Sequence, residues 1–328
     1  MSSLSVKQKM ALDAPLALSS PDFIEDIRLD LARRGVARAV ADRDTPTIFD
    51  WLITLVPLQG ISDRAATTYA SRNPIFRLTD FLGAAGCARC SRLGSYWAFS
   101  ECRYVKAAPS CAEPRLLRSC PVPQLPMRNG RLSQAAASLA LFFRDVCGGD
   151  FVSWVDERLQ QADHDDPRGR TARMRAAVLE PMTAIYGVSS KVLSMALADL
   201  LLGGDPSREQ WVATGATMIA VDSLVHNFLH RTGLLSANGC GHPYGPQCYQ
   251  PGGCADLIER LSETIDARAF NPAFPGYFPR FVQHAVWRFC AADGWNVCNG
   301  NRIDDHKPCR ARFCPVRGCL RQPLGGHF

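Results

Sequence analysis

The chain has 328 residues, 47% hydrophobic and 21% charged, the balance of a folded protein that can bury a large core in one or two domains. No apolar run reaches the roughly 20 residues that a membrane helix needs, and Met1 to Ser20 lacks the basic and continuous apolar regions of a secretory signal. These absences predict a cytoplasmic protein with no membrane partner. The net charge of +6 is unevenly placed. Residues 87–131 hold eight Lys/Arg against Glu101 and Glu113, and residues 299–328 hold six against Asp304 and Asp305. Basic patches on a slightly acidic body suit a polyanion such as DNA, although charged loops alone would produce the same pattern. Fourteen cysteines without a secretion signal point to metal or cluster ligation more than to disulfides.

In chain order, residues 1–21 read as a flexible tail. Residues 22–42 and 47–72 read as helices, the second introduced by Thr45-Pro46 and broken near Pro57 and Gly60. Residues 81–131 form a basic stretch rich in Pro, Gly and Cys. Residues 132–162 return to helical periodicity, with Leu139, Phe142, Val152, Val155 and Leu159 on candidate buried faces. Arg173 to Ile185, Val192 to Leu202, Ala255 to Ala267 and Pro279 to Cys290 supply further helices. Alternating runs suited to strands are few, so the class is all-α.

Two segments carry candidate chemistry. Ile185-Tyr-Gly-Val-Ser-Ser-Lys191 is a loop feeding the apolar helix that follows it. Met218-Ile-Ala-Val-Asp222 leads into Ser223 to Arg231 and puts Asp222 at a helix N-cap. A lysine and an aspartate, each set at a helix start, supply a nucleophile and a carboxylate of the kind needed to attack a sugar C1′ and expel a base. Either residue alone is also an ordinary surface lysine or an ordinary cap.

Together the two segments resemble the helix-hairpin-helix DNA glycosylases, most closely the endonuclease III branch, with its Leu-Pro-Gly-Val-Gly-x-Lys and Ile-Ala-Val-Asp-Thr-His blocks. Gly187, Val188, Lys191 and Ile219-Ala-Val-Asp222 match. Tyr186, Ser189 and Leu224 stand where the family has proline, glycine and histidine. The resemblance implies a two-lobed helical fold. One lobe would comprise residues 22–45 with 234–328, and the other residues 46–80 with 132–233, the latter carrying the hairpin at 180–200. Residues 81–131 and 240–254 would be Cys-rich insertions. It also implies a monomeric, nucleoid-associated enzyme of base-excision repair acting on double-stranded DNA with a damaged or mismatched base. Lys191 would attack C1′ and later form a Schiff base for AP lyase chemistry, assisted by Asp222. Gln59 would fill the gap left by the flipped base, and the hairpin backbone around Gly187 and Ser189 would hold a phosphate. The alternative is a DNA-binding protein that keeps the frame without the chemistry.

Three cysteine groups remain. Cys298, Cys309, Cys314 and Cys319 lie within 22 residues and can wrap a [4Fe-4S] cluster, at the family's position but with different spacing. A tetrahedral Zn site of the same thiolates is the rival. Either would hold Arg310, Arg312 and Arg317 on one loop facing DNA phosphates. Cys87-x2-Cys90, with Cys102, Cys111 and Cys120, resembles a zinc knuckle. Its neighbours Tyr96, Trp97, Phe99 and Tyr104 suit either base stacking or a small core of their own. Cys240, His242, Cys248 and Cys254 could bind Zn as Cys3His or be buried thiols.

Overall fold

The computed structural model describes residues 6–56, 68, 77–85, 90, 93–96, 102, 120–123, 131–164, 169–298 and 314–316. Among these, all regular structure is helical and no strand occurs, in keeping with the all-α expectation. The chain divides into two compact units, residues 27–215 and residues 1–26 with 216–328. The second unit thus resumes at Ala216, upstream of the boundary at 234 drawn from the sequence, so the Asp222 segment lies in it.

The 27–215 unit takes in most of α2 (Phe23–Arg33), then α3 (Val36–Ala41), α4 (Thr45–Leu55), α5 (Leu78–Ala85), α6 (Arg131–Asp145), α7 (Phe151–Ala162), α8 (Arg170–Met182), α9 (Ser190–Gly203) and α10 (Glu209–Gly215). The helix expected over 22–42 is two helices, α2 and α3. The helical periodicity over 132–162 forms two helices, because Gly148-Gly149 interrupts the ladder and Asp150 starts a new helix by accepting the Ser153 N–H at 2.9 Å. Asp44 caps α4 in the same way, through the Thr47 N–H at 3.2 Å. These breaks fold an aromatic core together. Phe143 stacks on Phe151 at 4.7 Å, and Phe142 meets Trp154 edge-on at 5.5 Å. Full burial of each such ring contributes about 2–3 kcal/mol. Helix α9 is apolar on nearly every side, with Leu193, Leu197, Leu200, Leu201 and Leu202 buried, and it packs on α4, α8 and α10. Asp156 of α7 accepts from both Arg208 and the Trp211 indole, which fastens the start of α10.

The other unit contains α1 (Val6–Ala17), α11 (Ser223–Arg231), α12 (Leu234–Ala237), a 3-10 turn at Pro246–Tyr249, α13 (Cys254–Ser262), a second 3-10 turn at Ala267–Ala269 and α14 (Pro279–Cys290). Residues 1–21, expected as a tail, supply α1, which buries Ala11, Leu12 and Leu16 and packs on α14. Helix α14 is the axis of this unit and also contacts α11 and α13. Phe278, Phe281 and Phe289 are buried along it, and Phe228 of α11 meets Phe289 at 5.9 Å.

His284 of α14 lies stacked on Phe23 at 4.2 Å, with its Nδ1 atom fully buried although the residue is partly exposed. Desolvation, reinforced by the Arg280 and Arg288 charges, lowers its pKa from 6.5 to about 3. The unfolded chain therefore takes up this proton first as pH falls. The stabilising contribution is complete above pH 6.5 and is lost progressively towards pH 3. His284→Phe should show a smaller drop in thermal midpoint between pH 7 and pH 5 than the wild type. Equal drops in the two proteins would contradict the buried neutral imidazole.

Candidate functional site

The link between α8 and α9 is a tight hairpin. Ile185 is buried, and the Tyr186 N–H donates to Ser138 Oγ at 3.0 Å, fastening the turn to α6. Gly187 follows with φ of 76°, the left-handed region that costs an L residue about 1–2 kcal/mol. Ser189, which stands for a glycine of the resembled family, has φ of −82° and ψ of 152° and needs no such freedom. Its hydroxyl caps α9 by accepting the Val192 N–H at 3.4 Å. Lys191 is the second residue of α9 and is half-buried. The positive end of the helix dipole disfavours a cation there, and no acidic residue stands in the first turn to offset it. Nothing in the helix itself therefore calls for lysine at this place.

Asp222 is the N-cap of α11 and accepts the Val225 N–H at 3.0 Å through one carboxylate oxygen. The preceding Met218, Ile219, Ala220 and Val221 are buried. Leu224, where the resembled family has histidine, is buried as well. Val221 is gripped by Tyr249, whose hydroxyl accepts the Val221 N–H at 2.8 Å and donates to its carbonyl at 3.2 Å. Burial first, and the nearby Asp222 charge among lesser causes, raise the pKa of both Tyr249 and Tyr244, so both phenols stay protonated beside the carboxylate. Lys191 belongs to the 27–215 unit and Asp222 to the other.

Directly after Asp222, α11 contributes to a group that could hold a metal ion, made of His226, His242, Cys248 and Cys254, whose ligand atoms all lie within 4.8 Å of one another. His226 Nδ1 is 3.3 Å from Cys254 Sγ and 3.6 Å from Cys248 Sγ, and His242 Nε2 is 3.4 Å from Cys254 Sγ. His242 Nδ1 lies 2.6 Å from the Cys240 carbonyl. A carbonyl only accepts, so Nδ1 carries the hydrogen and Nε2 keeps a lone pair for a metal. Gly253 brings the two cysteines together, since a Cβ there would lie 2.2 Å from the Gln247 oxygen and 2.9 Å from the Cys248 carbonyl. The Cys248 thiol is lowered to about 4, chiefly by the hydrogen bond from Cys254, whose own pKa is raised by the same bond.

This set corrects the Cys3His expectation. Cys240 lies outside it, its thiol donating to the Asn238 carbonyl at 3.3 Å and accepting from Arg260 at 3.1 Å. His226 takes the fourth place. The sequence signal for it was a histidine among Leu224, Val225, Phe228 and Leu229, a helix stripe where an imidazole 2% exposed needs a partner.

Cys298 and Cys314 are buried, and Cys298 hydrogen-bonds with Cys290, a cysteine that the sequence reading left unused. Cys90, Cys102 and Cys120 are half-buried. Gln59, Cys87, Cys111, Cys309, Cys319, Arg310, Arg312 and Arg317 lie outside the described residues. No helix among the described residues is long and apolar enough to cross a membrane. Comparison of the chain with protein-family models, with curated proteins and with solved structures returned no match.

The hairpin assignments separate cleanly by substitution. Gly187→Ala should cost about 1–2 kcal/mol in urea unfolding, from the left-handed φ alone. Ser189→Ala should cost about 1 kcal/mol and Ser189→Gly only a few tenths, because glycine is itself an acceptable cap residue. A larger loss from Ser189→Gly than from Ser189→Ala would remove the capping role.

Proposed function

We propose that the chain is a helix-hairpin-helix DNA glycosylase with AP lyase activity, acting on double-stranded DNA that carries a damaged or mismatched base. The observation that carries the reading is Lys191, held at the electrostatically unfavourable end of an apolar helix, directly behind a left-handed Gly187 turn. An amine kept there against the preference of its own helix is accounted for by chemistry. The capped start of α9 lends further support. Ser189 satisfies one of the helix's first N–H groups and leaves others for a DNA phosphate.

In this mechanism a base is flipped out of the duplex and the neutral Lys191 amine attacks C1′. The C1′–N bond breaks and the base leaves with its electron pair. Loss of the proton from nitrogen and opening of the sugar ring give an imine between Lys191 and C1′. Removal of a C2′ proton then expels the 3′ phosphate and cuts the strand. Asp222 is the carboxylate to which the resemblance assigns stabilisation of the cationic sugar. One of its oxygens accepts the Val225 N–H.

Borohydride reduction on duplexes with an abasic site tests the reading. The wild type should yield a covalent protein–DNA adduct and Lys191→Ala none. Asp222→Asn should slow base release by roughly 10²–10⁴-fold. Tight duplex binding without any adduct would replace the enzyme by a DNA-binding protein that lacks the chemistry.

A further inference from the structure

We propose that His226, His242, Cys248 and Cys254 bind one zinc ion, and that this ion holds the Asp222 segment in place. A tetrahedral zinc with bonds of about 2.3 Å to sulfur and 2.0–2.1 Å to nitrogen sets its nitrogen and sulfur ligands roughly 3.5 Å apart. Three of the four nitrogen–sulfur separations in this group are 3.3, 3.4 and 3.6 Å. That spacing fits a single ion. In a His2Cys2 [2Fe-2S] centre the histidines sit on one iron and the cysteines on the other, so the cluster would part the two pairs. Two thiolates also cancel the charge of a divalent ion, which makes a neutral centre suited to burial. Cys248 and Cys254 are both fully buried, and His226 is nearly so. The His242 Nδ1–H to Cys240 carbonyl bond supplies the outer support that metal-bound imidazoles use to fix their orientation.

The ion would tie the 240–254 loop to α11 on both sides of Asp222. On one side, His226 is the fourth residue after Asp222, and its N–H donates to the Asp222 carbonyl at 3.0 Å in the first turn of the helix. On the other, ligand Cys248 is followed directly by Tyr249, which makes both of its hydrogen bonds to Val221. Release of the ion would free the loop, withdraw Tyr249 from Val221 and loosen the Asp222 cap. Its consequence for base excision rests on the function proposed above. The metal site and its grip on Val221 do not.

Metal content of the full chain, purified with zinc and reductant, tests the ligand set. Cys254→Ser and His242→Ala should each lose one equivalent relative to the wild type, and Cys240→Ser should lose none. Retention by His242→Ala together with loss by Cys240→Ser would overturn the assignment. Should a ligand variant fail to fold, cobalt replacement in the wild type decides. Visible bands of tetrahedral cobalt with thiolate charge transfer, displaced in Cys248→His, support the site, and their absence removes it. Chelation followed by amide hydrogen exchange tests the positioning role. Val221 and Val225 should exchange faster once the ion is gone, and unchanged protection at both would leave no such role. A zinc-loaded chain that grips Val221 but forms no borohydride adduct would defeat the enzymatic reading alone.

Discussion

A protein built from short helices must satisfy many helix starts, each of which presents four backbone N–H groups without an intrahelical partner. Here the side chains that answer this need are Asp44, Asp150, Ser189 and Asp222, each accepting an N–H three residues on. The first two set where the chain turns back on itself and so determine which aromatic rings can meet. The other two stand at the starts of the helices that carry or follow the candidate chemistry. One local hydrogen-bond pattern thus serves the folding of the chain and, in the function proposed above, would leave donors for a ligand. An aspartate can be a cap and still act, because one carboxylate has more acceptor sites than a cap consumes.

The 240–254 loop solves a different problem. It has few apolar side chains to bury, yet it brings His242, Cys248 and Cys254 up to His226 of α11. A loop of this composition gains little from hydrophobic burial, so its order has to come from elsewhere. The zinc ion proposed above would supply that order, since binding energy realised only in the folded arrangement becomes folding energy. The tight approach of Gly253 to the Cys248 carbonyl is the local condition for it, because any larger residue would push the two thiols apart.

Much of the helical frame was legible in the sequence because apolar spacing of the α-helical kind is a property of neighbouring residues. The apolar run after Lys191 became α9, and the Asp222 cap was readable from one polar residue between an apolar stretch and a helix. Breaks were harder to see. Gly148-Gly149 and Asp150 together end and restart a helix, whereas periodicity alone runs smoothly across them. The docking of α1 on α14 was invisible, since Ala11, Leu12 and Leu16 make a weak pattern whose meaning depends on a partner surface distant in sequence. The metal group was half legible. His242, Cys248 and Cys254 announced themselves by local spacing, but the choice between Cys240 and His226 is a fact of three-dimensional approach. Cys240 is near in sequence and turns its thiol to Arg260, while His226 comes from a helix before the loop.

Helix α9 is buried along most of its length, including Val192 and Leu193 beside Lys191. Helices of this kind are among the last parts of a chain to open, exchanging their amides only with global unfolding. Lys191 is therefore mounted on stiff ground, and its backbone has little freedom to search for a partner. In the proposed reaction, any adjustment needed to bring a reacting carbon within reach would come from the ligand or from softer parts of the chain. In the function proposed above, the lysine would be a fixed post and the DNA would do the moving.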